Sequence, residues 1–492
     1  MTRKEAYVGI DIGTSSIKAG LFTGGSCRVA FRPARLFAAP EGVAEQDARH
    51  LWAAAVDAVR EVVNEEEGAC VRAVGLSGHS PSLVAATLGG EPLTPVITWM
   101  DKRPPSEARP AGKSWVEVSG PSFEATASWI ARRLGLMAGS PWVLLQPKDF
   151  IALRLTGRAC TDSSSASCSC CYNGERARDA CGDQALAHAL PPIVYPWEVC
   201  GDITSKAADE TGLPEGTPVV SGGIDAFMEA LGAGVTNPGI ACDATGTSTC
   251  VSLVEPAGAH AGSVRHVVPG LTLIAMPISY TGGSLKWAVS VLFPHEADSC
   301  ADWTHLVSDA LVSSYPGASG LVFIPHLVGE RSPRQDPTAR GAFIGLGPHH
   351  TRAHMLRAVL EGCSYAVRES LEVSCPGLAM EEVRAVGSGA KHASWLQTKA
   401  DVLGVPYVKM AVDEGALLGA VILAAYGCRD FASIDEAVQH MVHRSRIFEP
   451  DGRVRRVYDA AYEAYREAAS TLRRTHERLG RLRSLGAELT NT

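Results

Sequence analysis

Mostly apolar residues occupy 7–12, broken by Asp11, and return at 17–22, broken by Lys18, with Gly13-Thr14-Ser15-Ser16 between them, which predicts two strands joined by a tight turn. Residues 28–35 predict a third strand. Asp47 then stands ahead of Leu51, Trp52, Ala55, Val56, Val59, Val62 and Val63, whose spacing predicts a helix capped by that aspartate. Residues 71–76 predict a further strand. The strand-turn pattern returns at 240–253, where an apolar stretch reaches Asp243 and turns through Ala244, Thr245, Gly246, Thr247, Ser248 and Thr249. Later, 414–426 predicts an apolar helix and 458–485 one or two charged amphipathic helices.

Strand, strand, strand, helix, strand is the order of the ribonuclease-H-like fold, shared by actin-like nucleotide-binding lobes. Two Asp-led hairpins suggest an internal duplication, and Val71-Arg72-Ala73-Val74-Gly75 recurs letter for letter as Val383-Arg384-Ala385-Val386-Gly387. In a chain this rich in Ala, Val and Gly, so short a match also arises by chance. The turn-forming Thr236-Asn237-Pro238-Gly239 marks the natural boundary. The expected architecture is α/β, with lobes at 1–237 and 238–492 and a nucleotide- and sugar-binding cleft between them.

With 492 residues, 46% hydrophobic and 20% charged, the chain has material for roughly two or three packed domains. Its net charge of −8 argues against a nucleic-acid surface. The first five residues leave no room for a secretory signal, and the longest apolar run, 416–425, is too short for a membrane span. A cytoplasmic setting is expected, with the 14 cysteines as reduced thiols. Cys160, Cys168, Cys170 and Cys171 crowd together without the paired Cys-x-x-Cys spacing of a zinc site. His350 and His354 lack an acidic or thiol partner and read as a solvated helix start.

The first turn suits an oxyanion: Gly13, Thr14, Ser15 and Ser16 offer hydroxyls and backbone N–H groups, Asp11 a carboxylate for a hydrated divalent cation, and Lys18 a balancing charge. The same letters also suit a plain surface hairpin, and the second copy tips the reading. Asp225, beyond the Gly222-Gly223 step, is the candidate general base; a helix-capping aspartate is the competing reading. Gly387-Ser388-Gly389-Ala390-Lys391 allows a flat ligand such as adenosine to approach the backbone, or merely tight packing. Gly282, Gly283 and Lys286 are a weaker candidate for the nucleotide's edge. No Walker A loop and no Gly-x-Gly-x-x-Gly occurs.

Together with Lys148-Asp149-Phe150, Leu155-Thr156-Gly157, Thr161-Asp162, the run from Phe323 to Pro333, Ala339 to Leu346, and Gly389-Ala390-Lys391 ahead of Trp395, Gln397, Ala400 and Asp401, these segments resemble the FGGY carbohydrate kinases, most closely the xylulokinase-like branch. The resemblance spans nearly the whole chain. It implies transfer of the γ-phosphate of MgATP to a primary hydroxyl of a sugar, with Asp225 as base and Asp11 as the Mg2+-associated acid. It also implies a first phosphate loop of Gly13, Thr14, Ser15 and Lys18 and a second of Thr245, Gly246, Thr247 and Ser248. Gly282, Lys286, Gly389, Ala390 and Ala393 would border the nucleotide. His79, Ser80, Pro81, Trp99, Asp101, Asp225 and Ala226 would border the sugar. The implied acceptor is D-xylulose, giving D-xylulose 5-phosphate. However, Gly78-His79-Ser80-Pro81-Ser82 replaces the branch's Gly-Gln-Met-His-Gly, so another ketose, a polyol or an aldonate such as gluconate stays open, with His79 expected to reach the sugar in place of the lost histidine. Partners are a small sugar or polyol, with neither nucleic acid nor membrane, and the assignment leaves room for a homodimer. A non-catalytic actin-like nucleotide sensor is the rival of another class.

Overall fold

The computed structural model of the protein describes residues 4–490 apart from residues 25, 40–41, 65–68, 105–121, 136–140, 170–171, 174–175, 178–183, 260–263 and 300–302. The chain divides into unit 1, comprising Met1–Pro238, Val254–Ile274 and Glu414–His443, and unit 2, comprising Gly239–Leu253, Ala275–Asp413 and Arg444–Thr492.

Unit 1 is built on a six-stranded sheet. Its first three strands, β1 (Glu5–Ile12), β2 (Ser16–Thr23) and β3 (Ser26–Pro33), form an antiparallel meander. Helix α1 (Ala48–Asn64) follows, with Asp47 accepting the Arg49 N–H and with Leu51, Trp52, Ala55, Val59 and Val62 buried. Strand β4 (Cys70–Gly78) then pairs parallel to β1, and β6 (Pro218–Ile224) parallel to β4, while β5 (Val199–Asp202) closes the edge. The order is β5-β6-β4-β1-β2-β3.

The helix Gly415–Gly427 belongs to unit 1, although a single cut at 237 assigns it to the second lobe. Its small residues explain why. A Cβ on Gly75 of β4 would lie 2.0 Å from the Ala420 carbonyl oxygen, and one on Gly419 would lie 2.1 Å from that of Met228. Helix backbone therefore rests directly on strand and helix backbone, a fit that only glycine permits.

A seven-stranded sheet carries the rest: β7 (Ile240–Thr245) pairs antiparallel to β8 (Thr249–Pro256) and parallel to β10 (Glu382–Val386), and with β9 (Leu271–Ile278), β11 (Tyr407–Met410) and β12 (Arg444–Phe448) gives the order β9-β8-β7-β10-β11-β12, the short strand Val264–Arg265 lying at the edge beside β9; Val254–Pro256 of β8 and Leu271–Ile274 of β9 count with unit 1. That order repeats β3-β2-β1-β4-β6-β5, so the duplication is real at the level of topology. The repeated pentapeptide is not its trace. Ala73 pairs with Tyr7, whereas Ala385 pairs with Asp243, the counterpart of Asp11 rather than of Tyr7, so the two copies lie out of register. The C-terminal segment forms one helix, Arg455–Thr490, which buries Tyr458, Tyr462, Tyr465 and Ala469 in the core of unit 2. At the start of helix Arg352–Ser374, His354 joins a capping box with Thr351, and neither His350 nor His354 belongs to a metal cluster among the described residues. Cys170 and Cys171 lie outside the described residues.

One buried ion cluster braces unit 1. Lys148, 2% exposed, reaches Asp149 at 2.5 Å and Asp162 at 2.8 Å, and packs its Cβ beneath Gly78. Burial alone would raise Asp162, but Lys148, Ser164 and Ser165 hold it below the usual carboxylate range, while burial keeps Asp149 raised. Removing the cation leaves two carboxylates in a dry interior. Lys148→Met is expected to lower unfolding free energy by about 3–5 kcal/mol in urea titrations. A loss under about 1 kcal/mol would show that the cluster does not hold unit 1 together.

Candidate active site

Three parallel strands of unit 1 end in register. Ile12 of β1 and Ile224 of β6 both pair with Gly78 of β4. The residues that follow them, the Gly13–Ser16 turn, the loop from His79 and the acid Asp225, therefore leave the sheet along one edge. In open α/β sheets this carboxyl edge is where ligands are held. The turn is tight, with the Gly13 N–H donating to the Ser16 carbonyl at 3.0 Å, and Ser15 is exposed at its tip.

Asp225 starts helix Asp225–Gly232, is half-buried, and accepts the Ala226 N–H at 2.8 Å. Ala226 is likewise half-buried. The glycines before Asp225 have a steric cause: Gly222 has φ +69°, and a Cβ there would sit 1.6 Å from the Leu76 carbonyl oxygen. The strand pairing shifts at this point, so the Gly-Gly step re-aims the chain as it delivers the acid.

Asp11 is buried; its Oδ1 accepts from Ser77 Oγ at 2.8 Å, and its Oδ2 lies 3.9 Å from Lys18 Nζ. Burial raises its carboxyl above the ordinary value, against the pull of Lys18 and Ser77. Lys18 donates at 2.7 Å to Glu414, and although burial opposes its charge, Asp11 and Glu414 drive its affinity for a proton up. Glu229, one helical turn beyond Asp225, is pushed up to about 8 by burial and then by the charge of Asp225.

The sugar loop differs from expectation at His79. Its ring is 2% exposed, with Nδ1 2.8 Å from Ser82 Oγ and Nε2 3.0 Å from Gln46 Oε1, and burial lowers its pKa to about 3. Both nitrogens are occupied inside the protein, so this histidine does not replace the one missing from the loop. Ser80 carries a different signal: its Oγ is buried with no hydrogen-bond partner in the structure. Pro81 is half-buried beside it. Trp99 is half-buried and donates from Nε1 to Thr14 Oγ1 at 3.1 Å. Asp101 is fully buried, accepting from the Ala44 N–H and from Arg103, which stacks 5.0 Å from the Trp129 ring. The buried ion pair is thus the role its geometry supports.

In unit 2 the second hairpin differs from the first at its acid. Asp243 is buried and saturated, taking Lys399 Nζ at 2.7 Å, Tyr407 OH at 3.2 Å and Thr245 Oγ1 at 2.5 Å. The Thr245 hydroxyl, also bound to Thr249, is committed to this network. Gly246, Thr247 and Ser248 are exposed and remain accessible. Gly389 packs on the hairpin, since a Cβ there would meet Thr245 Cγ2 at 2.4 Å. Its bareness serves this packing, with Ala390 buried beside it. Gly282 abuts the Gly246 carbonyl, and Lys286 projects exposed from the helix Thr281–Leu292. Ala393 borders a cavity of about 370 Å3 with Ser394, Gln397 and Thr398.

Gln46, Ser77, Glu229, Lys399 and Glu414 were not visible as site residues in the sequence. Only Glu229, four residues after Asp225 on a predicted helix, carried a usable signal, its i,i+4 spacing. Among the described residues, no helix is long and apolar enough to cross a membrane.

Comparison with known proteins agrees with this geometry. The model of the FGGY carbohydrate kinase N-terminal domain matches residues 6–118 and 126–232, and that of the C-terminal domain matches 244–428. A xylulose kinase of Staphylococcus epidermidis is 30% identical over 482 residues, covering 94% of this chain and 96% of that protein. An L-xylulose/3-keto-L-gulonate kinase of Escherichia coli is 27% identical, covering 96% and 98%. The crystal structure of a xylulose kinase from Rhodospirillum rubrum superposes with a TM-score of 0.79 at 27% identity, covering 96% of this chain and 99% of that one. The two family models together match most of the chain, and these relatives align with it over nearly its whole length; the protein belongs to the FGGY family of carbohydrate kinases.

Proposed function

We propose that the protein transfers the γ-phosphate of MgATP to the primary hydroxyl of D-xylulose, with Asp225 as general base. The observation that carries this reading is the shared strand edge, which sets Asp225 beside both the Gly13 turn and the sugar loop. Phosphoryl transfer asks a protein mainly for alignment and for compensation of spreading negative charge. Asp225 takes the proton of the sugar hydroxyl as its oxygen bonds to phosphorus and ADP departs. In unit 1, Thr14, Ser15 and Lys18 hold phosphate oxygens; in unit 2 the exposed Gly246, Thr247 and Ser248 form the corresponding hairpin, and Ala393, which lines a cavity, is the residue left to border an adenosine.

The residues fit a magnesium-bound nucleotide: Asp11 keeps one carboxylate oxygen on Ser77 and turns the other toward Lys18, an orientation suited to a metal-bound water. When bound, the cation supplies charge neutralisation between the phosphates. Glu229 retains its proton near neutrality, which spares the anionic nucleotide one further negative charge. The orphaned Ser80 hydroxyl matches a sugar hydroxyl, taking the polar role that Pro81 cannot fill. Support for a ketose comes from the names of the relatives.

Asp225→Asn is expected to lower kcat by about 100- to 10,000-fold while MgATP still binds, as read by coupled ADP release and calorimetry. A variant keeping more than about a tenth of wild-type turnover would remove Asp225 from the role of base. Across D-xylulose, L-xylulose, D-ribulose, glycerol and D-gluconate, D-xylulose should give the highest kcat/KM; a polyol or aldonate in first place would overturn the acceptor. Glu229 also makes stability depend on pH. An unfolded glutamate ionises near 4.5 and the folded one at about 8, so the folded state holds the extra proton between them and loses stability as pH rises. Relative to wild type, Glu229→Gln should therefore gain stability between pH 5 and pH 8.5 in denaturant titrations. A difference that stays flat would mean that Glu229 is ionised throughout.

A further inference from the structure

Five residues of unit 1 close a ring of hydrogen bonds that joins the sugar loop to the phosphate turn. Gln46 Nε2 donates to the Thr14 carbonyl at 2.9 Å and lies 3.4 Å from that of Gly13. Its Oε1 must then face His79 Nε2, 3.0 Å away. That nitrogen consequently carries the proton, and Nδ1 accepts from Ser82 Oγ at 2.8 Å. Ser82 Oγ in turn accepts the Trp99 N–H at 3.0 Å, and Trp99 Nε1 donates to Thr14 Oγ1 at 3.1 Å, returning to the turn where the ring began. Two carbonyls of the turn fix the orientation of Gln46, and every donor and acceptor after it follows.

Gln46, His79 and Ser82 are each no more than 2% exposed, so water does not compete for these bonds. The neutral, Nε2-protonated imidazole serves both neighbours: Nε2–H donates to Gln46 and Nδ1 accepts the Ser82 O–H. A second proton on Nδ1 would reverse the latter bond and deprive the Ser82 O–H of its acceptor. The half-buried residues are the ones set to meet ligands: Thr14 and Trp99 of the ring, and Ser80 and Pro81, which lie between His79 and Ser82. Sugar seated against Trp99 or Ser80 thus presses on a closed loop whose far side is Thr14.

We propose that this ring couples the two substrates, with His79 and Gln46 as positioning residues that convert sugar occupancy into the placement of the Thr14 turn on the nucleotide's phosphates. The inference rests on the kinase reading above, and it assigns His79 a function that touches neither substrate. His79→Phe breaks both bonds at similar volume. His79→Gln keeps a donor toward Gln46, matching the glutamine that the xylulokinase-like branch carries at this position. Ser82→Ala opens the ring on its other side by removing one oxygen and stands in should His79→Phe not fold.

The test uses the full chain and Mg·AMPPNP, a nucleotide that cannot transfer its γ-phosphate. Calorimetric dissociation constants are measured with and without saturating D-xylulose, or whichever acceptor the wild type phosphorylates. In the wild type the sugar should tighten nucleotide binding by about 10-fold, within the usual range of coupling between sites. In folded His79→Phe or Ser82→Ala the ratio should fall to about 1, and His79→Gln should recover part of it. A purely structural role would weaken both constants together and leave their ratio unchanged. Equal ratios in wild type and the two ring-breaking variants overturn the proposal, as does a wild-type ratio of 1. The His79 Nε2–H resonance, identified by its loss in His79→Phe, gives a readout without sugar: it should shift on adding Mg·AMPPNP to wild type, because Gln46 ties that nitrogen to the Thr14 carbonyl. An unmoved resonance sinks the ring even if no acceptor is found, whereas failure to phosphorylate any acceptor, with that shift present, sinks only the kinase reading.

Discussion

The chemistry of unit 1 depends on the parallel register of three strands. Because Ile12 and Ile224 both pair with Gly78, a turn, a loop and a helix start leave the sheet at one level, and their side chains need not search for one another. Backbone hydrogen bonds set this alignment, and a slip by one residue would turn every side chain of a strand to the opposite face. The register shift at Gly222-Gly223 is the adjustment nearest the site, just before the acid.

The same strand order appears twice, yet its two leading acids have diverged in use. Asp243 is neutralised by a buried lysine and capped by a tyrosine and a threonine, so its work is finished within the fold. Asp11 has one serine bond and a lysine held at a distance by Glu414, so part of its charge remains unspent. Buried charge is costly to leave without compensation. A carboxylate kept in that condition beside a hydroxyl-lined turn is suited to a ligand that brings its own cation.

Around this edge, polar groups work by holding others still. Lys148 ties Asp149 and Asp162 under Gly78, Asp101 grips Arg103, and His79 links Gln46 to Ser82. Such networks order a site only when each member is satisfied. Asp149 Oδ2 and Ser80 Oγ depart from that pattern, and Ser80 lies in the loop that distinguishes this chain from the branch it resembles.

Much of the protein was legible in one dimension. Period-two and helical patterning marked the meander, α1 and the strands flanking it, and the Asp-Gly-Thr-Ser turns announced both hairpins, because local sterics and alternating burial are written residue by residue. The Gly-Gly step before Asp225 likewise marked a backbone under close approach. Pair identities were not legible. Nothing local tells that Lys399 belongs to Asp243, that Glu414 holds Lys18, or that helix Gly415–Gly427 rests on Gly75, since those partners lie far apart in the chain and meet only once strand order is set. His79 is the clearest case: its letter suggested a ligand, and burial between Gln46 and Ser82 made it a strut. Motif and periodicity alone determined the architecture and the family, while folding decided which polar atoms are consumed inside and which stay open, because that depends on what packs against each one.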